Sequence, residues 1–215
     1  MQAQPLAVAS HEATADPEEH LTFQEYLKRY DSVEGLRTEW NAGKVMKYPL
    51  SNNIRHLNVF DLLLFVLKVY LSRSNLGRVI PAAFPMYVGD DKPAREPDLM
   101  VVLTDHFDRI RENYLDGAAD IAIEIVSPES VERDRGAKFV EYEAAGVPEY
   151  WLIDPQREDA VVYSLSEDGR YRRSANAQGV LTSRLLSGFT LEVSLLWRNP
   201  PPDALALLAI VEKMN

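Results

Sequence analysis

Glu96-Pro97-Asp98-Leu99-Met100-Val101-Val102-Leu103 and, with its glutamate 26 positions after Asp98, Asp120-Ile121-Ala122-Ile123-Glu124-Ile125-Val126 are two short apolar runs, each carrying an acid. Read as strands, the second sends Ile121, Ile123 and Ile125 to one face and Ala122, Glu124 and Val126 to the other. A glutamate inside such a run is costly to bury unless it is paired or holds a cation. Neighbouring strands would bring Asp98 and Glu124 together at one end of a sheet, where a hard divalent cation such as Mg²⁺ relieves their repulsion. A buried salt bridge from Glu124 to Arg95 or Lys138 is the competing reading.

Outward from this pair toward the C-terminus, residues 131–145 read as a helix stopped at Gly146, which can take the left-handed cap. Asp134 and Lys138 are four apart and share a face, so Lys138 points back at the same sheet end. Taken alone, such a pair is more often solvated. Residues 150–153 form a strand ending at Asp154-Pro155, and 160–165 with 170–174 bracket a Glu167-Asp168-Gly169 turn. A further strand is expected over 188–193, and a C-terminal helix over 204–214. Toward the N-terminus, 78–88 reads as a strand. Residues 52–74 carry the longest helical pattern, with Leu57, Phe60, Leu64, Leu67 and Leu71 on one stripe. Residues 36–48 read as a hairpin turning at Asn41-Ala42-Gly43. Thr22 and Glu25 form a capping box opening a short helix to about Tyr30. The order predicts an α/β fold, a mixed α+β sheet with flanking helices. Residues 1–20 are expected to be a disordered lead-in, and 21–215 a single domain.

Composition narrows the chemistry. The 215 residues contain no cysteine, which excludes disulfide scaffolds, thiolate metal sites and cysteine nucleophiles. The four histidines, His11, His20, His56 and His106, are not at metal-ligand spacing, and no Gly-rich phosphate loop or serine elbow is present. The 23 basic and 33 acidic residues leave a net charge of −10. Half of that lies in residues 1–27, which hold five acids and no Lys or Arg. An acidic chain gains little from counterion release, so any nucleic-acid contact must come from a local site. No apolar stretch approaches the ~20 residues of a membrane helix, and no signal peptide is expected. The expectation is a cytoplasmic protein without a membrane partner.

The elements Glu96-Pro97-Asp98, Ile123-Glu124-Ile125-Val126-Ser127-Pro128, then Asp134, Lys138 and Tyr142, then Gly146-Val147-Pro148-Glu149-Tyr150-Trp151-Leu152-Ile153-Asp154, resemble the Uma-type restriction endonucleases of the PD-(D/E)XK nuclease superfamily. The resemblance runs from about Thr22 toward the C-terminus and is densest over 96–154. It implies a restriction-endonuclease-like core with flanking helices and extra β-hairpins, and a nuclease using Mg²⁺ or Mn²⁺. Carried over, Asp98 is the motif aspartate, Glu124 the second metal ligand, and the backbone carbonyl of Ile125 completes the coordination. The superfamily's lysine two residues after the glutamate is replaced here by Val126, and Lys138 resembles a lysine migrated to the following helix. Glu39 is an additional candidate ligand or water-positioner. The implied partner is nucleic acid, DNA first; a homodimer is expected separately, since two active sites can address two strands.

Each residue has a plainer alternative. Tyr142 and Trp151 read first as core, His56 as a structural hydrogen-bonding group, and Arg170, Arg172 and Arg173 as a solvated hairpin face. Glu141 and Glu143 read as exposed helix charges. The alternative to a nuclease is a catalytically inactive nucleic-acid or protein interaction module on the same fold.

Overall fold

Alternation along 121–126 divides the protein as it divides the sequence. A computed structural model describes residues 14–15, 20–29, 36–49, 53–128, 130, 133–174 and 179–214. In chain order they form β1 (Thr14–Ala15), α1 (Phe23–Arg29), β2 (Leu36–Asn41), β3 (Lys44–Pro49), α2 (Ile54–Ser74), β4 (Gly77–Pro81), β5 (Met86–Tyr87), β6 (Pro93–Ala94), β7 (Leu99–Leu103), β8 (Leu115–Asp116) and β9 (Ile121–Ile125). A wide, π-helical turn over Arg133–Ala137 then leads into α3 (Lys138–Ala145), followed by β10 (Glu149–Asp154), β11 (Asp159–Leu165), β12 (Tyr171–Arg173), β13 (Val180–Thr182), β14 (Thr190–Glu192) and α4 (Ala204–Val211).

The central sheet has the order β12-β11-β10-β9-β7-β4. Only β9 and β10 run parallel, with α3 as their crossover; the other neighbours are antiparallel. Ile121, Ile123 and Ile125 join Leu99, Val101, Trp151 and Ile153 beneath α2 and α4. Ala122 and Val126 join Met100, Val102, Tyr150 and Leu152 beneath Tyr142 of α3. Glu124 is buried on this second side. Trp151 is core, as expected.

A second sheet, β1-β3-β2-β6, carries the hairpin. Its turn places Ala42 and Gly43 at φ 44° and 95°, matching the right-handed twist of the two strands. A side chain at Gly43 would collide with the His20 ring, while the Gly43 carbonyl accepts the Leu21 N–H at 2.8 Å. The capping box forms: Glu25 Oε2 accepts the Thr22 N–H at 2.9 Å, and Thr22 Oγ1 accepts the Glu25 N–H at 3.3 Å. Trp40 Nε1–H donates to the Leu21 carbonyl at 2.7 Å, pinning α1 to the hairpin.

Several boundaries differ from the sequence reading. The run 78–88 breaks into β4 and β5, and β13, not anticipated, pairs with β14. On α2 the buried stripe is Val59, Leu62, Leu63, Val66, Leu67, Tyr70 and Leu71, while Leu57 is half-exposed. The residues from Leu62 to Leu67 are apolar all round, so periodicity alone fits more than one stripe. Tyr30, Asn52, Val131 and Glu132 lie outside the described residues, as does most of the predicted lead-in over 1–20; within that lead-in, Thr14–Ala15 pairs with Met46 and Lys47. No helix among the described residues is long and apolar enough to cross a membrane.

Candidate active site

Asp98 and Glu124 come from adjacent antiparallel strands. Leu99 pairs with Ile123, and one step further along that register Asp98 lies across from Glu124. The Ile125 N–H, at the end of the ladder, donates to Asp98 Oδ2 at 2.8 Å. Sequence-level pairing of the two acids on one sheet end is therefore what the backbone produces.

Lys138 and Tyr142, one turn apart on α3, both converge on Glu124 Oε1. The Lys138 ammonium stands 2.7 Å from it and the Tyr142 hydroxyl donates to it at 2.6 Å. Lys138 also stands 3.3 Å from Asp134 Oδ1, and both side chains are buried, so this pair is not solvated. Tyr142 is core and also reaches the site. The competing salt bridge thus forms with Lys138. Arg95 goes elsewhere, with Nη1–H donating to Glu39 Oε2 at 2.6 Å and Nε–H and Nη2–H donating to Glu141 at 2.6 and 2.8 Å.

The hairpin closes the site from above. Arg37 of β2 stands 3.5 Å from Asp98 Oδ1, 3.5 Å from Glu39 Oε1 and 3.8 Å from Glu96 Oε2. Glu39 is fully buried, and the structure brings it into the same charge cluster. His56 of α2 reaches Asp98 Oδ2 at 3.4 Å. Sequence reasoning missed Arg37 and gave Glu96 no role, although Arg37 and Glu39 alternate on one strand and so share a face. It also read Glu141 and Glu143 as exposed charges. Glu141 is bound twice by Arg95, and Glu143 accepts from Arg170 and from the Tyr171 N–H. Arg170 and Arg172 are exposed and paired with Glu143 and Asp168, and Arg173 is exposed, in keeping with a solvated hairpin.

Charge is set by burial against these cations. Burial pushes the Glu124 carboxyl up to about 7, with Asp134 and Asp98 adding to the rise against Lys138. Burial likewise takes Glu96 to about 7, Arg37 only partly opposing it. Burial acts on Asp98 too, but His56 and Arg37 overcome it and hold Asp98 at about 2. Glu39 is also held at about 2, since Lys138, Arg37 and Arg95 outweigh its burial. Lys138 stays above its ordinary value despite burial because Glu124 and Asp134 face it.

These directions fix a pH profile of stability. Glu96 and Glu124 titrate near 4.5 when unfolded, so the folded chain binds extra protons between about 4.5 and 7. Stability therefore rises as pH falls through that window. His56, whose value Asp98 raises against burial, acts in the same sense above 6.5. For Glu39 and Asp98 the sign reverses, because their native values lie below 4.5 and 3.8, and stability is lost as pH falls from there toward 2. Thermal melts should give the highest Tm near pH 4.5–5.5, lower at pH 7.5 and at pH 3. A Tm that climbs steadily to pH 7.5 would contradict this balance.

Among the described residues no three His, Asp or Glu side chains are disposed to hold a metal ion. The donor set still suits Mg²⁺, an ion that keeps several waters and takes one or two carboxylates. Asp98 and Glu124, all-oxygen donors on one sheet end, supply two.

A mixed sheet with a parallel β9–α3–β10 unit, flanking helices and acids at the strand ends defines a restriction-endonuclease-like fold. One solved structure with this fold is that of a putative nuclease of the DUF820 group from Anabaena variabilis. It superposes with a TM-score of 0.67 at 20% identity, covering 82% of this chain and 97% of that one. No curated protein matches the chain. Residues 23–194 match the Uma2 family, described as putative restriction endonucleases, and the chain belongs to that family.

Proposed function

We propose that the protein is a metal-dependent endonuclease that hydrolyses phosphodiester bonds of DNA, with Asp98 and Glu124 as metal-holding carboxylates and Lys138 assisting. One observation carries this reading: Asp98 and Glu124 stand across one strand pair, with a buried lysine on the glutamate. The backbone carbonyl of Ile125 is assigned as a further oxygen donor to Mg²⁺ or Mn²⁺. When bound, such an ion polarises a phosphate oxygen and lowers the pKa of its water.

The chain's own groups have distinct tasks. Ile125 N–H and His56 orient Asp98 from its Oδ2 side. Tyr142 and Lys138 orient Glu124 from Oε1. Lys138 offsets negative charge as a water gives up a proton and its oxygen bonds to phosphorus, while a bridging P–O bond breaks and the leaving oxygen takes up a proton from solvent, so that one water is consumed. Glu39, sealed by Arg95, is assigned to keep Arg95 in place and to add to the field at Lys138. We place the functional unit as a cytoplasmic homodimer whose two sites address two strands.

The metal assignment is tested by titrating Mn²⁺ into the protein in a calorimeter. The parent is expected to take up Mn²⁺, and Asp98→Asn with Glu124→Gln together to abolish the heat of binding. A parent that binds no divalent cation favours the second reading, an inactive nucleic-acid or protein interaction module. That reading draws on the 2.7 Å closure of Lys138 on Glu124 and on the apolar Val126.

A further inference from the structure

The charged side chains around Asp98 differ in how far they reach solvent. Lys138 and Glu39 are sealed at 0% side-chain exposure and Glu124 at 1%, whereas Asp98 is at 10%, His56 at 16% and Arg37 at 20%. Lys138 therefore lies on the floor of the site, and its amine meets a phosphate only by leaving both Glu124 and Asp134. Of the two arginines in salt bridges with Glu39, Arg37 is the nearer to the mouth, since Arg95 stands at 6%.

Arg37 is also held more loosely than Arg95. Its three carboxylate neighbours stand at 3.5–3.8 Å, and its Nε and Nη2, both buried under the guanidinium's exposed edge, have no hydrogen-bond acceptor among the described residues. Arg95, by contrast, closes on Glu39 and Glu141 at 2.6–2.8 Å. The acidic cluster thus attracts the Arg37 guanidinium without fixing it by hydrogen bonds. A planar cation with unused N–H donors suits an oxyanion that accepts two parallel bonds.

We propose that Arg37 is a catalytic residue of this site, its guanidinium passing from Glu39, Glu96 and Asp98 to the non-bridging oxygens of the phosphodiester being cleaved. It supplies at the mouth the positive charge that Val126 does not supply from the strand. The assignment rests on the nuclease reading and adds to it the group that receives the phosphate.

The test compares the parent, Arg37→Met and Arg37→Lys in three measurements: fluorescence anisotropy of a labelled duplex DNA in EDTA, calorimetric titration with Mn²⁺, and single-turnover cleavage. Arg37→Met is expected to weaken DNA binding by about 10-fold and to slow cleavage by about 100-fold. Its Mn²⁺ affinity stays equal or tightens, because a cation 3.5 Å from Asp98 has gone. Arg37→Lys recovers most of the binding and less of the rate, since an ammonium does not make the paired bonds. An Arg37→Met protein that binds and cleaves like the parent overturns the proposal, as does loss of its Mn²⁺ affinity or a parent that does not bind the duplex. If melting curves show Arg37→Met unfolded, Arg37→Lys decides, and a parental rate in it overturns the assignment. A parent that cleaves no nucleic acid removes the nuclease reading itself, and cleavage by Glu124→Gln at the parental rate removes Asp98 and Glu124 as its site. A dead Glu124→Gln beside a fully active Arg37→Met removes Arg37 alone.

Discussion

Glu124→Gln is expected to lower DNA cleavage by about 1,000-fold, the several kcal/mol that a metal-bound transition state draws from its ligands. The substitution keeps the shape of the side chain and most of its contacts. The Tyr142 hydroxyl can still donate to the amide oxygen at the position of Oε1. What changes is charge. Burial has already lifted this carboxyl to about 7, so near neutral pH the folded chain carries it partly protonated. A neutral amide there matches the protonated form but leaves Asp134 as the remaining anion on Lys138, so some stability is lost while the larger effect falls on the chemistry. The measurement pairs cleavage rates with thermal melts at pH 7. A rate equal to the parent's would show that Glu124 holds nothing the reaction needs.

Lys138→Met should be strongly destabilising. The ammonium has no solvent exposure and is the cation between Glu124 Oε1 at 2.7 Å and Asp134 Oδ1 at 3.3 Å. Removing it leaves two buried carboxylates facing each other, at a cost of about 3–5 kcal/mol, or roughly 10 °C in Tm for a chain of this size. Glu39 loses a stabilising charge as well, since Lys138 leads the groups that hold it at about 2. The loss should shrink in mild acid, where Glu124 takes a proton and the repulsion fades. Urea denaturation at pH 7.5 and pH 5 reads both effects. Equal losses at the two pH values would mean that packing of the lysine stem, and not its charge, holds α3 to the sheet.

Glu124 and Glu149 show how far a sequence reading reaches. Both are fully buried acids in apolar strands, at opposite ends of the same β9–β10 pairing. Glu149 is satisfied by neutral donors, namely Trp151 Nε1–H, the Ser183 hydroxyl and the Arg184 N–H. Glu124 is held by Lys138 and Tyr142 and faces Asp98. Strand propensity and alternation treat the two alike. The order of motif elements around Glu124 is what distinguishes it.

The hairpin teaches a related lesson. Asn41-Ala42-Gly43 announced the turn, and the capping box announced α1, because both are local contacts between near neighbours. That this hairpin lays Arg37 and Glu39 over Asp98, some 60 residues later, is not encoded in any window around residue 37. It depends on Trp40, Phe23 and Tyr87 packing together, with the Phe23 and Tyr87 rings stacked at 4.4 Å. Likewise, alternation along Arg78–Val88 did not reveal a split into two strands in different sheets.

The sequence by itself determined the strand acids, the face each occupies and the helix that carries Lys138, because residue spacing dictates side-chain direction within one element. Only the tertiary structure decided the depth and pairing of these charges: Lys138 sealed on Glu124, Arg95 diverted to Glu39 and Glu141, Arg37 left at the mouth. The physical reason is that burial and Coulomb energy depend on distance through space, which separate elements acquire only when their apolar faces pack.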